Sequence, residues 1–82
     1  MSGVRSVTAE EIAAFVGSDL LAGRLVEVYE NILLTGLVDS LGVMTLVAHL
    51  ETITNRSIPL EDVVLEHFES AQAIAAYLGA RG

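Results

Sequence analysis

From Ser40 to Thr54 the apolar residues Val43, Leu46, Val47, Leu50 and Ile53 recur at intervals of three and four. Only a helix brings residues so spaced onto one face, because each step advances about 100° around its axis. With Ser40 at zero, these five and Thr54 fall between about 220° and 340°. Such a stripe has to be buried, so the rest of the chain must supply apolar partners for it. Leu41, Met44 and Ala48 fall outside it, between about 40° and 100°, on the side of Ser40. Core packing does not require this second patch, and a flexible methionine suits a docking face. His49 falls near 180°, among Thr45 and Thr52, on a solvated side opposite Ser40.

The partners are found on either side. Thr8 with Glu11 three residues on fits a capping box, and Ile12, Phe15, Val16 and Leu20 follow at helical spacing. This predicts a first helix over roughly residues 8 to 19, with Phe15 mid-stripe in the core. From Leu20 to Val38 the periodicity blurs among Gly17, Gly23 and Gly36. A connection this long packs its own side chains or has a task, and it reads as a pinned crossover holding at most one helical turn. Leu33 and Leu34 are expected to anchor its end in the core, and Thr35-Gly36 to make the turn before the next segment.

After Thr54, Asn55-Arg56-Ser57 ends the second helix and Ile58-Pro59 is an extended step, since the residue before proline is driven out of helical geometry. Leu60 to Leu65 predicts a short third helix with acids in its first turn, and Phe68 a core plug. Glu69-Ser70 opens a last helix with Ala71, Ile74, Ala75 and Leu78 as its buried row, Tyr77 as a half-buried edge residue, and Gly79 near its stop. The expected architecture is all-α: a small four-helix bundle, three main helices plus one short helix, with a long loop between helices 1 and 2. It occupies residues 8–79, behind a flexible N-terminus of residues 1–7.

With 82 residues the chain makes one domain, and a domain of this size buries only about 60 to 65% of its unfolded surface. Half its residues are apolar (52%), which is ample for one core. The charge of −7, with four arginines and no lysine, repels a nucleic-acid backbone and suits basic protein partners. No cysteine is present, so disulfides and thiolate metal sites are excluded. The apolar runs fall short of the ~20 residues that span a bilayer, and no basic-then-apolar leader is visible. A soluble, cytoplasmic monomer without a membrane span is expected.

A serine hydrolase needs a base that is itself oriented. His49 points away from Ser40, and no ligand pair at metal-binding spacing involves His49 or His67. No catalytic residue and no metal site are assigned. Taken by themselves, Asp39 and Ser40 are a helix start, since both accept hydrogen bonds from free N–H groups and a carboxylate is favoured at the positive end of the helix dipole.

The segment Leu33-Leu34-Thr35-Gly36-Leu37-Val38-Asp39-Ser40-Leu41-Gly42-Val43 also resembles the attachment site of acyl and peptidyl carrier proteins. The tail from Ile58-Pro59-Leu60-Glu61-Asp62 through Leu65-Glu66-His67-Phe68-Glu69-Ser70-Ala71 to Ala75-Ala76-Tyr77-Leu78 resembles the third and fourth helices of freestanding carriers. The resemblance spans roughly Glu10 to Leu78. A bare Asp-Ser-Leu is a weak match; the Leu-Leu-x-Gly lead and the tail make this one specific.

The resemblance implies that Ser40 bears a 4′-phosphopantetheine arm, taken from coenzyme A and attached by a phosphopantetheinyl transferase. It implies that Asp39 orients the loop and helps hold a metal ion that neutralises the pyrophosphate during transfer. Leu41, Met44 and Ala48 would then dock an adenylating or acyl-loading enzyme and the downstream synthase or tailoring enzymes, while an aminoacyl or acyl cargo rides as a thioester.

Two departures narrow the subtype. Leu37 and Val38 both separate Gly36 from Asp39, whereas fatty-acid carriers usually place the glycine two residues before the Asp. Glu51 is the one acid of the second helix, and Gly42 and Thr45 hold places often acidic in that branch. The spacing is closer to D-alanyl carriers and to standalone aminoacyl or peptidyl carriers, and the tail is less like the D-alanyl branch. The expected role is a discrete carrier of a specialised-metabolite pathway of nonribosomal-peptide or polyketide type. A fatty-acid or D-alanyl carrier is the nearer alternative, and an unmodified helical interaction module, with Asp39-Ser40 merely a cap, is the alternative of another class.

Overall fold

Thr8 starts the first helix by the expected exchange: Glu11 N donates to Thr8 Oγ1 at 3.1 Å, and Thr8 N donates to Glu11 Oε1 at 3.0 Å. In the computed structural model, which describes residues 7 to 80, helix α1 spans Ala9–Phe15. The proposed flexible terminus of residues 1–7 lies, apart from Val7, outside the described residues.

Helix α1 is shorter than its apolar spacing predicts, because the chain widens into a π-helical turn over Val16–Leu20, where Leu21 N donates to Val16 O at 3.0 Å. Gly17 explains the change. The returning chain lies directly on it, with Gly23 N donating to Gly17 O at 2.8 Å, and a methyl at Gly17 would overlap the Arg24 carbonyl oxygen. Gly17→Ala is therefore expected to cost about 1 to 3 kcal/mol, since the obstacle is backbone that cannot rotate away. A chemical-denaturation midpoint checks it.

Phe15 is half-buried at the edge of the core and not central to it. Its ring lies flat on that of His49, with centroids 3.8 Å apart and planes 4° from parallel. His49 is accordingly half-buried too, and the solvated position given by its own helix is corrected by the helix that crosses it.

Residues 21 to 39 form the long crossover, and it is pinned to the start of the last helix. Ile32 N donates to Glu69 O and Gln72 N to Val28 O, both at 2.8 Å. Val26, Ile32 and Val38 are its buried anchors. The anchoring given to Leu33 and Leu34 falls one residue earlier: Ile32 is 1% exposed, Leu33 packs at the core's edge, and Leu34 is 71% exposed. Asn31 causes the shift, its Oδ1 accepting from Leu33 N at 3.1 Å and Leu34 N at 2.7 Å and so turning the chain outward. At the surface, Arg24 Nη2 meets Glu30 Oε2 at 2.8 Å, and this bond holds the Glu30 carboxyl below its ordinary range. Gly36, at φ 76°, takes the left-handed turn before the next helix.

Helix α2 spans Ser40–Thr54, the range expected, and buries Val43, Leu46, Val47, Leu50 and Thr54, with Ile53 half-buried. It ends at Asn55, whose left-handed φ of 57° is a conformation asparagine tolerates well. Glu51 Oε2 accepts from Ile58 N at 2.7 Å and fixes the extended step before Pro59.

Leu60 to Leu65 is not one short helix. A 3-10 turn covers Leu60–Asp62, Val63 and Val64 turn to ψ 75° and 161°, and a single-turn helix α3 follows at Leu65–Phe68. Two adjacent β-branched residues favour extended geometry, which breaks the helix there. Phe68, 1% exposed, is the plug expected. Helix α4 spans Ala71–Ala80, and Ser70 Oγ accepts from Ala73 N at 3.1 Å at its start. Its buried row is Ala71, Ile74 and Tyr77; Ala75 and Leu78 are half-buried. Tyr77 thus takes the place expected of Leu78, which its hydroxyl tolerates because it donates to Asp62 Oδ2 at 2.5 Å.

The result is a small all-helical bundle with four α-helices, in which α4 contacts both α1 and α3. Its radius of gyration of 11.8 Å matches the roughly 12 Å of a compact chain this long. Among the described residues no strand occurs and no helix is long and apolar enough to cross a membrane.

Candidate functional site

The division of labour between Asp39 and Ser40 is clear in the structure. Asp39, in extended geometry (φ −88°, ψ −177°), is the capping residue: its Oδ1 accepts from Gly42 N at 2.8 Å, and its carbonyl oxygen accepts from Val43 N at 2.9 Å. Ser40 is the first residue of α2 and is exposed. Among the described residues nothing hydrogen-bonds its hydroxyl. The cap is made without it.

Two residues to which sequence reasoning gave no role in the site hold this geometry. Val38, 5% exposed, roots the loop in the core immediately before Asp39. Gly42 packs over that root: a Cβ there would lie 2.9 Å from Val38 Cγ1 and 3.3 Å from Asp39 Oδ1. A side chain would press on both the root and the cap, which gives a physical reason for glycine at this position. The spacing Asp-x-x-Gly at a helix start was the available signal.

Beside Ser40 runs a groove of about 390 Å³. Val43 and Met44 of α2 form one side, Val63, Val64 and Leu65 the other, and buried Phe68 closes the bottom. Asp39 is the one acid that lines it. Beyond the groove α2 carries Leu41 at 76% exposure and exposed Ala48, with Met44 at 47% between them on the groove's rim. The three residues of the second apolar patch are therefore all exposed, next to Ser40, with Met44 also facing the groove.

Neither histidine lines the groove. His67 Nδ1 lies 3.0 Å from the Asp62 carbonyl oxygen and its ring stacks on Tyr77, while His49 stacks on Phe15. Both histidines are thus engaged away from the groove that Ser40 lines. Among the described residues no three His, Asp or Glu side chains gather as a metal-binding group. What the arrangement offers is an accessible hydroxyl at the positive end of a fifteen-residue helix, an apolar groove beside it, and an uncovered apolar patch next to both. Comparison with protein-family models, with curated proteins and with solved structures finds no match to this chain.

Proposed function

We propose that the chain is a freestanding carrier protein in which Ser40 bears 4′-phosphopantetheine and carries an aminoacyl or acyl intermediate between enzymes. The observation that carries this reading is the Ser40 hydroxyl, exposed at the first position of α2 and, among the described residues, left unshared by the cap that Asp39 makes.

The residues fit the group. A phosphodiester on Ser40 Oγ would stand at the helix N-terminus, where the dipole and the first-turn N–H groups favour negative charge. When bound, the arm supplies a terminal thiol on which the cargo is held as a thioester. Attachment asks only that Ser40 present its oxygen: the O–P bond forms there, the phosphoanhydride of coenzyme A breaks, adenosine 3′,5′-bisphosphate leaves, and the serine proton passes to a base. That base belongs to the separate phosphopantetheinyl transferase that presents coenzyme A. Asp39 holds the loop in place and is the carboxylate within reach of a transferase-bound metal ion. The carrier itself is not catalytic.

Leu41, Met44 and Ala48 form the surface on which the adenylating or acyl-loading enzyme and its successors dock, and the charge of −7 suits basic rims on those partners. A specialised-metabolite pathway is the setting favoured by the Gly36 to Gly42 spacing together with the tail, which is less like the D-alanyl branch; fatty-acid or D-alanyl supply are the alternatives. Met44→Ala is expected to leave stability within about 0.5 kcal/mol, as for an exposed residue, and to slow loading by a cognate enzyme. Unfolding of this variant would place Met44 in the core and overturn the face assignment.

The reading is tested by incubating the protein with coenzyme A and a broad-specificity transferase and measuring intact mass. A gain of one phosphopantetheine supports it; an unchanged mass, where a reference carrier is fully converted, favours the unmodified interaction module.

A further inference from the structure

The outer side of the groove beside Ser40 is a short strap, and its two ends meet the same side chain. At one end Asp62 Oδ2 accepts from the Tyr77 hydroxyl at 2.5 Å. At the other the His67 ring stacks on the Tyr77 ring, with centroids 4.7 Å apart and planes 26° from parallel. His67 Nδ1, 3.0 Å from the Asp62 carbonyl oxygen, closes the base of the bow. Between these ends lie Val63, Val64 and Leu65, the residues that face Val43 and Met44 across the groove.

Besides Tyr77, the strap is anchored by Val63, which packs partly buried against the core, and by Phe68 just beyond its far end. The backbone bonds at Val63 and Val64 are local, Val63 N donating to Leu60 O at 3.0 Å and Val64 N to Asp62 O at 2.9 Å. Val64 and Leu65 keep 38% and 46% of their surface exposed, so neither is enclosed in the core. Helix α3 is a single turn and is not stable by itself. Tyr77, by contrast, is 9% exposed on α4, with Phe68 at 6.1 Å between ring centroids, and is a fixed point.

We propose that Tyr77 is a positioning residue for the Ser40 groove: by holding Asp62 and His67 together it bows the Val63–Leu65 strap and sets the distance of that wall from α2. A phenylalanine would fill the same space and keep the ring stacking, so the hydroxyl is the part that positions. Should Ser40 carry an arm, this wall is what the arm and its cargo meet on the α3 side; that clause rests on the carrier reading, whereas the clamp does not.

The test uses the unmodified full chain, so its outcome is independent of whether Ser40 is ever modified. Site-resolved amide exchange and methyl shifts are measured by NMR for wild type, Tyr77→Phe, Asp62→Ala and Asp62→Asn. Tyr77→Phe and Asp62→Ala are expected to speed exchange at Val63 and Val64 roughly tenfold or more, since a hydrogen bond to a charged acceptor is lost. Amides of Leu50 and Ile74 should stay as in wild type, the Val43 and Met44 methyls should shift, and Asp62→Asn, which keeps an oxygen for the Tyr77 hydroxyl but not its charge, should fall between wild type and Asp62→Ala. The proposal is overturned if Val63 and Val64 are unchanged in Tyr77→Phe, if exchange rises equally at Leu50 and Ile74, if Asp62→Asn is as fast as Asp62→Ala, or if the strap loosens while the Val43 and Met44 methyls stay put.

Discussion

Leu50→Ala is expected to lower the free energy of unfolding by about 2 to 5 kcal/mol, and Leu46→Ala by a similar amount. Both side chains are fully enclosed, at 0% and 1% exposure, on the stripe by which α2 holds to the bundle. The loss has two parts, the transfer of the removed methyl groups and the cavity left where neighbours cannot collapse. Against a total stability of about 5 to 15 kcal/mol, and toward the lower end for so small a domain, that is enough to leave a sizeable unfolded fraction at elevated temperature. Denaturant titration followed by circular dichroism checks it. A loss below about 1 kcal/mol at both positions would mean that α2 is not the element the core is built on.

Ser40→Ala is expected to do the opposite: to leave the fold as it is and to remove the function entirely. The Ser40 side chain is exposed and Asp39 makes the cap, so stability should change by no more than about 0.5 kcal/mol. Modification by a transferase should fall to zero, because the oxygen that would form the bond to phosphorus is gone. The pair separates two readings of one residue. If Ser40 were the helix cap, its removal would cost about 1 kcal/mol.

How much of this was legible beforehand depended on whether a feature is set within one element or between several. Helix α2 was readable to both ends, because a stripe of Val43, Leu46, Val47 and Leu50 fixes its own buried face and Asn55 stops it. The Thr8–Glu11 capping box was readable for the same reason: both partners lie within one turn. The end of α1 was not, since what widens it at Val16 is the return of Arg24 over Gly17, a contact made only because the chain has left the helix and doubled back. His49 and Phe15 were each placed by their own helix and then re-placed by the crossing that stacks them. Tyr77 was displaced by a partner fifteen residues away, Asp62, that no periodicity announces.

The site divided in the same way. Exposure of Leu41, Met44 and Ala48 followed from the α2 wheel alone. That Asp39 caps while Ser40 stays free could not be read from the pair, because either residue type can cap; it took the observed acceptance from Gly42 N by Asp39 Oδ1. The groove was invisible in the sequence because its far wall comes from a strap whose course is set by Val63, Val64 and the Tyr77 contact.

One digest tests the central claim most directly. The four arginines and absent lysine mean that trypsin releases residues 25 to 56 as a single peptide, and Ser40 is the one serine within it. After treatment with coenzyme A and a transferase, fragmentation of that peptide is predicted to place a phosphopantetheine on Ser40. A peptide that returns unmodified, or a group found on any other residue of the chain, contradicts the account.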